Sequence, residues 1–149
     1  MPEERLVKSA EVNVFAHATE DEEKVKKAVV ILARFDPEWE AQKLSGHYDD
    51  PIQLLTAKTN RKKEATDFLA NIVSRLNSLD RETLLGDLAN RVDPQGSLYI
   101  RLDKQKAFHG RAVLAENDPI RVKFRFQIPH KADPVAVIRE ILLNAEADE

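Results

Sequence analysis

The chain has 149 residues, 42% hydrophobic and 33% charged, with no cysteine, so one continuous core is within reach and disulfides and thiolate metal sites are excluded. The formal net charge is −3, which taken alone speaks against a polyanionic partner. It is unevenly spread, however: from Arg91 to Lys131 nine Lys and Arg stand against four Asp and Glu, a local +5, while the rest carries −8, and a ligand responds to the local field.

There is no basic-then-apolar leader and no apolar run of about 18 residues, so the expectation is a soluble, cytoplasmic protein without a membrane partner. Residues 1–8 are mixed in charge and expected to fray. Ala10, Val12, Val14 and Ala16 alternate with Glu11, Asn13, Phe15 and His17, which predicts a strand. Thr19, with Glu22 three residues on, has the form of a capping box, and Glu20, Asp21 and Glu23 favour the positive end of a helix dipole. Val25, Ala28, Val29, Leu32 and Ala33 supply the buried stripe to about Phe35, and Asp36-Pro37 ends it. Trp39, Ala41 and Lys43 then alternate with Glu38, Glu40 and Gln42, the run Ser45 to Pro51 is a turn by composition, and Ile52 to Thr59 alternates as a hairpin partner.

Asn60 is placed to cap a helix with apolar positions Ala65, Phe68, Leu69, Ile72, Val73 and Leu76. Arg61, Lys62 and Lys63 fill its first turn, where the dipole disfavours each cation by about 0.3 to 1 kcal/mol. Free N–H groups beside three cations suit a phosphate; the alternative is a solvated surface partly neutralised by Glu64. A short helix from Arg81 to Asn90, capped by Asp80 and buried through Leu84, Leu85 and Leu88, leads to the turn Asp93-Pro94-Gln95-Gly96.

The stretch from Ser97 to Arg111 organises the rest. Leu98, Ile100 and Leu102 turn inward and Tyr99, Arg101 and Asp103 outward on a half-buried strand. A connection dense in cations and rings follows, with Lys104, Gln105, Lys106, Phe108 and His109 before Gly110. Such a loop is costly unless something uses it; the plainer alternative is a solvated loop with Phe108 folded back onto the core. Ala112 to Ala115 is predicted as a short strand and Glu116 to Pro119 as a turn. From Ile120 to Ile128 the alternation is cleanest: Ile120, Val122, Phe124, Phe126 and Ile128 face one side, and Arg121, Lys123, Arg125 and Gln127 the other, with like charges about 7 Å apart. Asp133-Pro134 starts a last helix buried through Val135, Ile138, Ile141, Leu142 and Ala145, and Glu146 to Glu149 is expected to be loose. The order predicts one α+β domain over 1–149, a mostly antiparallel sheet with helices on one face and a polar row on the other.

At Gly46-His47-Tyr48-Asp49-Asp50-Pro51-Ile52 the chain resembles a small archaeal family described as exosome-associated predicted RNA-binding proteins with a double-stranded-RNA-binding-domain-like fold. Val14 to Val25, Arg91-Val92-Asp93 and Leu98 to Phe108 carry the same resemblance. The family pattern has Gly-Asn where this chain has Asp49-Asp50, which removes a glycine and adds negative charge beside His47 and Tyr48. The resemblance implies an archaeal cytoplasmic protein, a fold similar to that of the ribosomal protein that binds 5S RNA, a role near RNA, and no reaction.

The residues themselves suggest RNA contact. Arg101, Lys104, Lys106, Arg121, Lys123 and Arg125 are assigned to phosphates, with Arg61, Lys62 and Lys63 as a second patch. Tyr99, Phe108, Tyr48 and His109 are candidates for stacking on unpaired bases, and His47 belongs to the same surface as Tyr48. The alternative is a protein interaction module in an RNA-processing complex, docking through the charged face or the acidic first helix. An enzyme is disfavoured. His47 with Asp49 and Asp50 suggests a divalent ion and Asp103 with Lys104 an acid–base pair, yet a hard-cation site wants several oxygens converging from separate segments, no known nuclease or hydrolase spacing appears, and His17, His109 and His130 stand isolated. The expectation is therefore a non-enzymatic RNA-binding protein without metal or cofactor, with exosome or other RNA-processing subunits as partners. If Ala112 to Ala115 is an end strand, a second copy could pair with it.

Overall fold

A computed structural model describes residues 7–45 and 51–147. Its elements are β1 (Val7–His17), α1 (Glu22–Ala33), β2 (Trp39–Ser45), β3 (Pro51–Thr59), α2 (Lys62–Arg75), α3 (Ser78–Gly86), α4 (Leu88–Arg91), β4 (Ser97–Leu102), α5 (Lys104–Phe108), β5 (Ile120–Phe126) and α6 (Pro134–Ala147). The strands form one antiparallel sheet in the order β2-β3-β1-β5-β4. This is the expected α+β architecture.

Alternation decides what each face meets. Val12, Val14, Leu55, Leu98, Ile100, Val122 and Phe124 are buried on one face, where α2 crosses β1 and β3. Phe68 of α2 meets Phe124 edge-on at 5.3 Å and Phe35 at 6.1 Å, ring geometry worth about 0.5 to 1.5 kcal/mol per pair beyond burial. α1 and α6 flank α2 and bring Leu32, Ile138 and Leu142 into the same core.

Several boundaries differ from the sequence pattern, each for a local reason. β1 begins at Val7, inside the segment expected to fray, because Val7 pairs with Phe126. The cap of α1 is Asp21, which accepts the Glu23 N–H at 3.0 Å. Thr19 lies in the preceding turn, held by the Glu20 N–H donating to His17 O and the His17 N–H donating to the Glu20 carboxylate. At α2 the cap position is Arg61 rather than Asn60, and the Thr59 hydroxyl accepts the Arg61 N–H while donating to Glu64 at 2.6 Å. The helix expected over 81–90 begins at Ser78 under an Asn77 cap and breaks at Asp87 into α3 and α4.

Two further differences bear on the site. The connection after β4 is a helix, α5, because Asp103 caps it by accepting the Lys106 N–H at 2.9 Å. Ala112 to Ala115 is no strand; it makes a single bridge, Leu114 to Leu102. The Leu114 N–H donates to Asp80 and the Ala115 N–H to Arg101 O, while Val113 O accepts from Asp103. These groups are already in use, so the dimer contact expected of this segment loses its structural basis. β5 ends at Phe126, two residues early, and α6 runs on to Ala147.

The turn into β4 depends on Gly96, whose φ is +85°. The Asp93 carboxylate accepts the Gln95 and Ser97 N–H groups, and Gly96 O accepts the Phe126 N–H at 3.0 Å. A Cβ at Gly96 would stand 2.5 Å from Ile128 Cγ1. Gly96→Ala therefore combines a left-handed backbone with a clash and is expected to destabilise by about 1 to 3 kcal/mol. In urea this lowers the unfolding midpoint at unchanged slope; an unchanged midpoint would show that Ile128 and the turn relax freely.

Candidate nucleic-acid interface

The face opposite the helices is built in cross-strand rows. Ser97, Arg125 and Ser9 form one; Tyr99, Lys123, Glu11 and Lys58 form the next; Arg101, Arg121, Asn13, Thr56 and Glu40 form a third. Like charges directly opposite one another repel, and Arg101 faces Arg121. Glu116 offsets this from outside the sheet, 2.8 Å from Arg101 Nη1.

Of the acids on this face Glu11 is engaged, whereas Glu40 stands exposed at the β2 end of its row, away from β5. Glu11 accepts from Asn13 Nδ2 at 3.1 Å and lies 3.9 Å from Lys58 Nζ, and Asn13 Oδ1 accepts the Thr56 hydroxyl. Arg121, Lys123 and Arg125 have no carboxylate partner among the described residues. Two of them lie over rings: Arg121 Cζ is 5.7 Å from the Phe15 centroid, and Lys123 Nζ is 5.7 Å from that of Tyr99. Tyr99 is 39% exposed and donates its hydroxyl to Asp93 at 3.1 Å. The surface thus offers cations and flat groups together, the combination that engages phosphates and stacks bases.

Lys104 is placed elsewhere. Its side chain is only 12% exposed, and Nζ donates to Phe15 O at 2.6 Å, Asp118 Oδ2 at 2.9 Å and Glu20 Oε1 at 3.1 Å. It clamps the end of β1 and the turn before α1 to the loop before β5, and is not available to a phosphate. His17 is not isolated either, since its Nε2 lies 3.1 Å from Asp118. Ligand atoms of His17, Glu20 and Asp118 lie within 4.8 Å of one another, and the Lys104 ammonium is bonded to both carboxylates of that group. Desolvation pushes the Asp118 carboxyl upward, but the bonds from Lys104 and His17 outweigh it and hold the group below the ordinary carboxylate value. Asp103 spends its carboxylate on capping α5, not on an acid–base pairing with Lys104.

Lys106, Phe108 and His109 lie on α5 and its C-cap, packed against α1 rather than on the open sheet face. Phe108 is half-buried against the core, as the plainer alternative had it, although the segment is helical. Arg61, Lys62 and Lys63 are exposed at the start of α2, just after Thr59. Thr59 pairs with Ala10, which in turn pairs with Phe124, so they form a rim at the Arg125 end of the sheet. Lys63 lies 3.3 Å from Asp67. His47, Tyr48, Asp49 and Asp50 lie outside the described residues. Sequence reasoning missed Phe15 and Lys58 on the open face, and Lys24 and Lys27 of α1 beside Phe108; the i, i+3 spacing of those two lysines was the available signal.

A family model described as RNA binding matches residues 9–126, which span all five strands and α1 to α5. The chain belongs to this RNA-binding family. Over 139 residues it is 32% identical to a protein of Pyrococcus abyssi named as an RNA-binding protein, covering 88% of this chain and 90% of that one. It is 30% identical over 147 residues to an uncharacterised protein of Methanocaldococcus jannaschii, covering 93% and 97%. Among solved structures, a DUF54-family protein of Archaeoglobus fulgidus superposes with TM-score 0.78 at 33% identity, covering 91% of this chain and 99% of that one. The relatives are archaeal, and α6 falls outside the residues the family model matches.

The Lys104 clamp has a measurable consequence. Lys104→Met keeps the stem but removes the ammonium, leaving Glu20 and Asp118 uncompensated. A hydrogen bond to a charged group contributes about 1.5 to 3 kcal/mol, and the partial exposure of both acids puts the expected loss at the lower end, about 1 to 2 kcal/mol. Because the folded Asp118 pKa is depressed, its stabilising contribution is present above the unfolded carboxyl value of about 3.9 and is lost as pH falls through the folded one. Urea unfolding of both proteins should therefore show a gap at neutral pH that narrows as the pH is taken below the unfolded carboxyl value of about 3.9. A gap independent of pH would assign the loss to packing of the Lys104 stem.

Proposed function

We propose that this chain is a non-catalytic RNA-binding protein whose contact surface is the helix-free face of the sheet, acting in the cytoplasm beside the RNA-processing machinery, with exosome subunits among its partners. The observation that carries the reading is the row Arg121, Lys123 and Arg125, free of carboxylate partners among the described residues and interleaved with Tyr99 and Phe15. Each cation that neutralises a phosphate releases counterions, and the guanidinium and ring planes accept bases by stacking. Membership of a family described as RNA binding supports it, as does the relative named an RNA-binding protein. A role without catalysis is supported by Lys104, whose ammonium holds the Glu20 and Asp118 carboxylates.

The test is fluorescence anisotropy with single-stranded and duplex RNA across a salt series. The logarithm of affinity should fall linearly with the logarithm of salt. Arg121→Gln, Lys123→Gln and Arg125→Gln combined should make that slope shallower by about two to three, from about 0.7 to 0.9 per phosphate contact. Unchanged affinity in the triple variant would remove the sheet face from the reading. Absence of RNA binding even at low salt, together with nuclease-resistant capture of a processing subunit, would make the chain an interaction module instead.

A further inference from the structure

We propose that the corner formed by α1 and α5 is a second phosphate-binding surface, separate from the sheet face, so that one RNA is held at two places. This rests on the RNA-binding reading above. Phe108, seated against the core, carries Lys24 Nζ at 6.0 Å and Lys27 Nζ at 5.9 Å from its ring centroid. Two ammonium groups drawn to one ring repel each other, and an exposed cation–π contact returns only about 0.5 to 1 kcal/mol. A shared anion relieves that repulsion.

More positive charge gathers at the same corner. The Arg111 N–H donates to Lys106 O at 2.9 Å, so Lys106 and Arg111 flank one tight turn, and the His109 ring stands edge-on to Phe108 at 5.6 Å. Arg75 is fixed there by two bonds, Nε to Asn71 Oδ1 at 2.9 Å and Nη1 to Gly110 O. The neighbouring acids are committed elsewhere: Glu22 and Glu23 to Lys26, Asp21 and Asp103 to helix caps, and Glu20 to Lys104. Lys24, Lys27, Lys106 and Arg111 have no carboxylate partner among the described residues.

The surface lacks what a protein partner uses. The large hydrophobic side chains most exposed among the described residues are Leu79, Tyr99 and Leu143, none of them on α1 or α5, whereas protein interfaces are anchored by buried apolar and aromatic groups. A polyanion needs no such anchor. α5 follows directly on β4, whose Arg101 points to the open face, so an RNA rounding that edge of the sheet reaches both surfaces.

The experiment compares salt slopes on a duplex RNA of about 16 base pairs for the full chain and three variants: Lys24→Gln with Lys27→Gln, the sheet triple Arg121→Gln, Lys123→Gln and Arg125→Gln, and all five together. The lysine pair should make the slope shallower by about two, at about 0.9 per contact, with thermal unfolding unchanged, and the five-fold variant should add the two effects. If the lysine pair leaves slope and affinity at their original values while the sheet triple weakens binding, the second surface does not exist and the sheet face stands. If the lysine pair weakens binding and the sheet triple does not, the RNA surface is this corner alone. If the unaltered chain binds no RNA at low salt, both readings fall together.

Discussion

Successive side chains leave a strand on opposite sides, and β1 and β5, neighbours in the interior of this sheet, use that to serve a dry core and a wet surface at once. On β5, Val122, Phe124 and Phe126 are buried while Arg121 and Arg125 stand exposed on the other side. A slip of one residue in the pairing with β1 or β4 would exchange the two sets. It would drive unpaired guanidinium groups toward Phe68 and Ile72, where an isolated charge cannot be accommodated. Burial of the phenylalanines therefore fixes where the cations stand. The surface assigned to RNA is a by-product of the register that makes the core, which is why it needs no loop to position it.

Lys104 shows the opposite use of a positive charge. Half-buried at the sheet's end, it ties its own segment to two others far away in sequence, Phe15 and Glu20 from the start of the chain and Asp118 from the loop before β5. A census of charge along the chain counts it among the nine cations between Arg91 and Lys131, yet one of its two acids, Glu20, lies outside that window. Arg91 is reduced in the same way, since its guanidinium lies 3.1 Å from Asp87 and 3.9 Å from Glu116. The excess a ligand meets is carried by fewer side chains than the count suggests, and it is concentrated on β5 and at the α1–α5 corner.

How much could be read without coordinates follows from the range of each interaction. Strand alternation, helix stripes and the division into an apolar and a polar sheet face are local and periodic, and the order of elements and the sheet class follow from them. Caps are local but compete with their neighbours: Thr19 and Asp21 are both credible, and the contacts of Glu20 with His17 decide between them. The segment after β4 looked like a loop because its cations and rings suggested exposure, whereas Asp103 was a cap and Ala107 a buried helical position. Contacts across long separations were hidden altogether. His17 and Asp118 are 101 residues apart, and the meeting of Lys24 and Lys27 with Phe108 depends on how α1 packs on α5.

The acidic total and the basic surfaces are two parts of one electrostatic arrangement. A chain of net charge −3 presents a polyanion with a weakly repulsive far field and, within about a Debye length of 8 to 10 Å, with patches of attraction. Exposed acids on other parts of the molecule, such as Glu82, Asp36 and Glu140, disfavour docking in the wrong orientation. A uniformly basic protein of the same size would bind RNA by any side. If the sheet face is the RNA surface proposed above, repulsion supplies orientation and the local rows supply attraction, so the angle of approach is selected before any base is touched.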